Sequence, residues 1–132
     1  MTGNARSELA AVFLGGCAGA LARAALVEWA PPEPGHWPWA TFAANVAGAF
    51  LLAWVLTRVR EPLQLHRYRR PLLGTGFCGA LTTFATLQLE LLRMLDAERP
   101  GLAVAYAAAS LAAGLAAAAA ATALVRRTEA SR

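Results

Sequence analysis

Polar positions interrupt this chain so rarely that its pattern reads as four long apolar runs. Leu9 to Trp29 is broken only by Arg23 and ends in Glu28-Trp29. Trp39 to Thr57 holds Asn45 as its one strongly polar interior residue. Leu72 to Leu89 continues through Glu90 to Leu95, and Leu102 to Val125 is mostly alanine. Apolar runs of such length are read as membrane spans, so helices are predicted over 9–29, 39–57, 72–95 and 102–125. At about 1.5 Å per residue each reaches roughly 27–36 Å, enough for a hydrocarbon core of about 30 Å. The third run is unusual. Gly76-Phe-Cys-Gly-Ala-Leu-Thr-Thr-Phe-Ala-Thr86 holds two glycines and three threonines in eleven residues. Glycine weakens a helix, and free backbone in lipid costs several kcal/mol per group. This helix is expected to be interrupted, with its freed carbonyls and hydroxyls holding something.

Composition fits that reading. Of 132 residues, 58% are hydrophobic and 15% charged, too little charge to cover a soluble domain. Connections Ala30–Pro38, Arg58–Pro71 and Asp96–Gly101 are short, leaving no room for a nucleotide-binding fold. The expectation is an all-α membrane protein, one four-span domain over 1–132. A signal peptide is the alternative for the first run, given Arg6 and Ala18-Gly19-Ala20. It would leave three spans, and the apolar character continues past that cleavage point.

Charge gives the orientation. Every basic residue is arginine. Arg6, Arg58, Arg60, Arg67, Arg69, Arg70, Arg126, Arg127 and Arg132 fall on one side; Arg93 and Arg99 fall on the other, and Arg23 lies inside the first span. Nine against two places both termini in the cytoplasm by the positive-inside rule, in a multi-pass protein of the cell membrane. Cys17 and Cys78 sit in spans outside any CxxC or Cys/His cluster and read as small apolar fillers. His36 and His66 lie in connections and are expected to be solvated.

Within the spans, Gly15/Gly19 and Gly16/Ala20 give small residues four apart, a helix-packing signal. Arg23 either snorkels or lines an aqueous vestibule. Thr41, Asn45 and Gly48 share one helix face. The Asn45 amide suits an anion, or an interhelical hydrogen bond. Tyr106 and Ser110, also four apart, either donate to a passing ion or bond back to helix carbonyls. The Ala116–Ala121 run reads as tight packing. Thr82 and Thr83 can satisfy freed backbone groups, and Phe84 can turn a positive ring edge to an anion. Glu90 reads as a vestibule group or a solvated helix end. No nucleophile–base pair, carboxylate pair or phosphate loop suggests an enzyme.

Three motifs resemble the Fluc/CrcB fluoride channels: Gly16-Cys-Ala-Gly-Ala-Leu-Ala-Arg23, Thr41-Phe-Ala-Ala-Asn45-Val-Ala-Gly48 and Gly76-Phe-Cys-Gly-Ala-Leu-Thr-Thr-Phe84. The resemblance covers essentially the whole chain. It implies passive export of fluoride through an antiparallel dimer with a central structural Na⁺. Carried over by motif, Gly79 and Thr82 supply the Na⁺ carbonyls, Asn45 is the pore asparagine and Phe84 the first phenylalanine of an aromatic box. Tyr106 and Ser110 begin a hydroxyl track, with Thr41 and Thr83 in the pore-lining set. Arg23 matches the span-one arginine and joins Glu90 as a vestibule group. The family pattern Phe-Ser-Thr-Phe reads here Phe84-Ala85-Thr86-Leu87, and Gly114 stands where the track usually has a hydroxyl. Those departures and the arginine bias lead us to expect pairing with an oppositely oriented paralogue. Two other functions were weighed. One is a non-conducting partner subunit. The other is a proton-coupled small multidrug exporter, which needs a carboxylate near mid-span one, where this chain has only the terminal Glu28.

Overall fold

A computed structural model describes residues 2–58 and 68–131, with side chains from Ala5 onward. Arg60, His66, Arg67 and Arg132 therefore lie outside the described residues. Helix α1 runs Thr2–Trp29 and α2 Trp39–Arg58. The third span opens with the π-helical stretch Arg70–Cys78 and continues as Gly79–Leu81; these together are α3. After a two-residue break come α4, Phe84–Asp96, and α5, Pro100–Ala130. The four lengths apolar enough to cross a membrane are Ala5–Trp29, Trp39–Arg58, Arg70–Asp96 and Pro100–Ala130. The third is interrupted, as the glycine–threonine motif predicts.

Local chemistry explains the ends. Pro31, Pro32, Pro34 and Pro38 keep the first connection out of helix, since proline lacks a donor and restricts the residue before it. Pro100 opens α5 at a position where its missing N–H costs nothing. The π-helical start of α3 was not foreseen. Such stretches are rare in helices, and this one lies where α1 approaches closely. A Cβ on Gly76 would come within 2.5 Å of Val12 O on α1.

Helices α1 and α3 run parallel in close contact. Gly15 faces the Leu72 carbonyl and Gly19 the Phe77 carbonyl, with no room for a side chain at either. The packing expectation for Gly15/Gly19 is met within the chain, whereas Gly16 has open space beside it. Gly19→Val should therefore force α1 and α3 apart and cost about 2–4 kcal/mol, in the range of severe overpacking. Gly101→Ala, with nothing within 4 Å, should be neutral. Thermal stability in detergent measures both.

Helix α2 runs antiparallel to the third span and packs on α5. Met94, Ala103 and Tyr106 form a buried cluster at the end where α4 turns into α5, with Trp37, Phe42 and Leu87 against it. Elsewhere the apolar side chains point outward: Leu9, Phe13, Leu21, Leu111 and Leu115 are all exposed. Lipid tolerates such surface, and water does not. Exposed Trp29 and Trp39 mark one end of the bundle, and Tyr68 lies at the other. Also toward that end, Arg58 lies 5.3 Å over the Trp54 ring, as interfacial aromatics do. Of the Ala116–Ala121 run, Ala121 is buried and Ala117 and Ala118 are half-buried, while Ala116, Ala119 and Ala120 are exposed. Cys78 is buried as a filler, but Cys17 is exposed on α1.

Candidate functional site

The break in the third span is held open by its neighbours. Thr82 takes ψ 149° and Thr83 φ −149°, both extended. Thr83 N–H donates to Asn45 Oδ1 at 2.8 Å, and Asn45 Nδ2 donates to Thr83 O at 3.3 Å. One α2 side chain thus satisfies both backbone groups of one residue, as a neighbouring strand would. Gly48, one turn on, lies so close that a Cβ would meet Thr82 Cγ2. The two threonines do what their hydroxyls promised. Thr82 Oγ1 donates back to Cys78 O at 2.9 Å. Thr83 caps α4, accepting from Thr86 N–H at 3.2 Å and donating to Thr86 Oγ1 at 2.9 Å.

These bonds strip two carbonyls of their helical partners. In a continuous helix Gly79 O would accept from Thr83 N–H, and Thr82 O from Thr86 N–H. The first amide is taken by Asn45 and the second by the Thr83 hydroxyl. Gly79 is exposed, and a Cβ there would meet nothing within 4 Å. Two uncommitted carbonyl oxygens at the end of a half-helix suit a hard cation. Phe84, the first residue of α4, is 71% exposed. Beside it an open groove is lined by Asn45, Thr82, Thr83 and Leu87. Leu87 faces the same groove as Phe84, so the departure from the family pattern alters its wall.

A second polar centre lies one turn back along α2, at Thr41. Glu90 is only 4% exposed. Thr41 Oγ1 donates to its Oε1 at 2.6 Å, and Tyr106 O–H to its Oε2 at 2.8 Å. Three helices thus converge on one carboxylate, with both oxygens satisfied, as a buried charge requires. The reading of Glu90 as a solvated helix end is corrected: α2 and α5 cover it. Each residue of this group was singled out in the sequence. What spacing does not reveal is that Glu90 joins Thr41 to Tyr106, although an acid inside an apolar run is a signal of function. Ser110, one turn along α5 from Tyr106, has a buried hydroxyl with no hydrogen-bond partner among the described residues.

Thr41, Asn45 and Gly48 therefore share a face, and that face meets the third span at Glu90, Thr83 and Thr82 in turn. Arg23 stands apart. It is half-buried on α1, which packs on α3, and makes no ion pair among the described residues. The structure does not bring Arg23 and Glu90 together as one vestibule. His36 is exposed, as expected of a connection residue.

An asparagine clamp on a broken membrane helix, beside lone carbonyls and a line of hydroxyls, is a constellation that can be compared with known proteins. A protein-family profile described as CrcB-like protein, Camphor Resistance (CrcB), matches residues 10–122. The chain belongs to the CrcB-like family. It is 56% identical over 125 residues to "Fluoride-specific ion channel FluC 1" of Mycobacterium tuberculosis, covering 95% of each chain. Two relatives come from one strain of Streptomyces avermitilis. "Fluoride-specific ion channel FluC 2" is 39% identical over 104 residues, 78% of this chain and 65% of its own length. "Fluoride-specific ion channel FluC 3" is 47% identical over 90 residues, 68% and 44% respectively. These CrcB-like relatives are named as channels, in line with the expectation that the chain is no enzyme. The profile reaches into all four spans and contains both polar centres, so the family assignment concerns the membrane bundle itself.

Proposed function

We propose that this chain is a subunit of a fluoride-specific channel that lets cytoplasmic fluoride leave passively across the cell membrane. The observation that carries the reading is the Asn45–Thr83 clamp beside exposed Phe84, one turn from the hydroxyl-bearing centre of Thr41, Glu90 and Tyr106. Fluoride is small and strongly hydrated. A path that strips its water must offer donors at each step and bind loosely enough for release. The Asn45 amide has two hydrogens and commits one to Thr83 O, which leaves the other for the groove. The Phe84 ring edge, the Thr83 segment and the Ser110 hydroxyl complete the set, and Tyr106 would join it only by turning its O–H from Glu90 to the ion. Arg23 remains the candidate for drawing anions toward it from the α1 side.

Gly79 and Thr82 would hold a Na⁺ through their carbonyls, since both have lost their helical amides. The ion would supply a fixed positive charge joining two subunits. The subunits would be antiparallel, each contributing one pair of carbonyls. Both termini would face the cytoplasm in this chain, as Arg6, Arg58, Arg69, Arg70, Arg126 and Arg127 gather at one end of the bundle.

The partner would be a paralogue of opposite orientation. Leu87 leaves the groove with one aromatic wall, nine arginines against two favour a single orientation, and numbered relatives coexist in one Streptomyces strain. Glu28, exposed on the last turn of α1, is too near the membrane surface to serve a multidrug exporter's proton relay.

Fluoride efflux from liposomes tests both levels. The chain alone should give little flux, and co-expression with a paralogue carrying phenylalanine at the position of Leu87 should raise it at least about tenfold, the effect of roughly 1.4 kcal/mol at the pore. A stable homodimer with full flux would sink the pairing. No fluoride flux from either preparation would sink the channel. A pair that conducts unchanged with Asn45 and Phe84 substituted would make this chain the non-conducting partner.

A further inference from the structure

The connection between α1 and α2 does more than join them. Residues 32–36 fold over the end of α4 and form with it a partly open cavity of about 20 Å³. Glu90, Arg93 and Met94 line it from α4, and Glu33 and His36 from the loop. About 10–15 Å³ of such space holds one water, and fluoride is of nearly the same size. The loop is fixed in place. Arg99 Nη1 donates to Gly35 O at 2.8 Å. Gly35 has φ +73°, and a Cβ there would lie 3.3 Å from Ala97 Cβ, so only glycine fits. His36 N–H closes the turn onto Glu33 O at 3.1 Å.

This cavity meets the buried polar centre at one residue. Outward, Glu90 faces this partly open space; inward, its oxygens hold Thr41 and Tyr106, with the buried Ser110 hydroxyl one turn beyond. The ionisable groups around the space are the carboxylates of Glu33 and Glu90, His36 with Nδ1 3.7 Å from Glu33 Oε2, and the Arg93 guanidinium. Arg93 lies one turn from Glu90, is exposed, and its guanidinium makes no hydrogen bond or ion pair among the described residues. Without it, the positive charge left nearest is Arg99, held on Gly35 O, against the carboxylates of Glu33 and Glu90.

We propose that this cavity is the outer mouth of the ion path, a site for one small, partly dehydrated anion, and that Arg93 is the positioning residue that admits it. The proposal rests on the channel reading. The test is fluoride efflux from liposomes holding the full chain, with its paralogue where that is required. Arg93→Gln should slow initial efflux about three- to tenfold at roughly 10 mM ionic strength, and less than about twofold in about 0.5 M sodium gluconate, which screens the charge. Arg93→Lys should restore it. Unchanged efflux in Arg93→Gln overturns the proposal. So does a loss equal at both ionic strengths and not rescued by lysine, which marks a structural role. A second readout needs no conduction: ¹⁹F line broadening of fluoride by the protein in nanodiscs should weaken several-fold in Arg93→Gln. Arg93-dependent binding in a protein that does not conduct would keep the mouth site and remove the channel. Neither flux nor Arg93-dependent binding would remove both.

Discussion

Asn45→Ala should cost more than any other single change in the pore. It removes the acceptor of Thr83 N–H and the donor to Thr83 O together. An unpaired buried backbone group costs about 1–3 kcal/mol, and lipid offers no water in compensation. Thr83 is half-buried beside an open groove, so solvent there recovers part of the loss. The expected net is a destabilisation of about 2–4 kcal/mol. The two half-helices would be free to close toward a continuous helix, returning the Thr83 amide to Gly79 O and withdrawing that carbonyl from any cation. Fluoride efflux should fall on the order of 10- to 100-fold, as a lost hydrogen bond to an anion implies. Asn45→Asp separates the two roles. Its carboxylate still accepts from Thr83 N–H, so stability should be better kept, but it offers the anion a negative charge in place of a donor. Efflux should be lost in both variants. An Asn45→Ala protein that melts and conducts like the wild type would refute the clamp.

Among the polar residues, Glu90→Ala should have the second largest effect, for a different reason. Asn45 organises one residue's backbone, whereas Glu90 joins three helices through two hydroxyls. Truncation leaves the Thr41 and Tyr106 hydroxyls without their acceptor and opens a cavity in a region where Tyr106 is fully buried. Removing a buried charge recovers some desolvation energy, so the expected net loss is about 2–3 kcal/mol rather than the full sum of both hydroxyls and the cavity. Glu90→Gln keeps the volume and one acceptor, and its stability should stay within about 1 kcal/mol of wild type. Residues that share one partner are not additive. Tyr106→Phe should therefore add little to Glu90→Ala while destabilising the wild type by about 1 kcal/mol. Thermal melts of the four proteins in detergent complete the cycle. Full additivity would mean that the bond between Tyr106 and Glu90 carries no energy.

The two centres were legible in the sequence to different degrees. Around Asn45 almost everything could be foreseen. Thr41, Asn45 and Gly48 fall on one face by spacing alone, and the glycine–threonine run announces a broken helix. Even the backbone-directed bonds of Thr82 and Thr83 follow from short hydroxyl side chains beside free carbonyls. The arrangement is local or repeats with the helix, so periodicity reports it. Around Glu90 the same reasoning stopped short. A carboxylate six residues from the end of its span is compatible with a solvated helix end until another helix covers it. The covering residues, Thr41 and Tyr106, lie 49 and 16 positions away, and no pattern within one segment encodes which segments meet.

The same division runs through the rest of the molecule. Apolar run length set the number of spans and their approximate limits, because a bilayer demands a fixed length and rejects charge wherever the chain crosses it. Spacing of small residues marked α1 as a packing helix. Only packing distinguished Gly15/Gly19, which meet the α3 backbone, from Gly16, which meets nothing in this chain. The π-helical opening of α3 likewise depends on how closely α1 approaches. The Arg99 bond to Gly35 spans 64 positions, and with it comes the cavity over Glu90. Elements answer to the solvent that surrounds each segment, and one sequence records that solvent in its hydropathy. Contacts between elements answer to the shapes of surfaces brought together from distant parts of the chain, which exist only once the helices have packed.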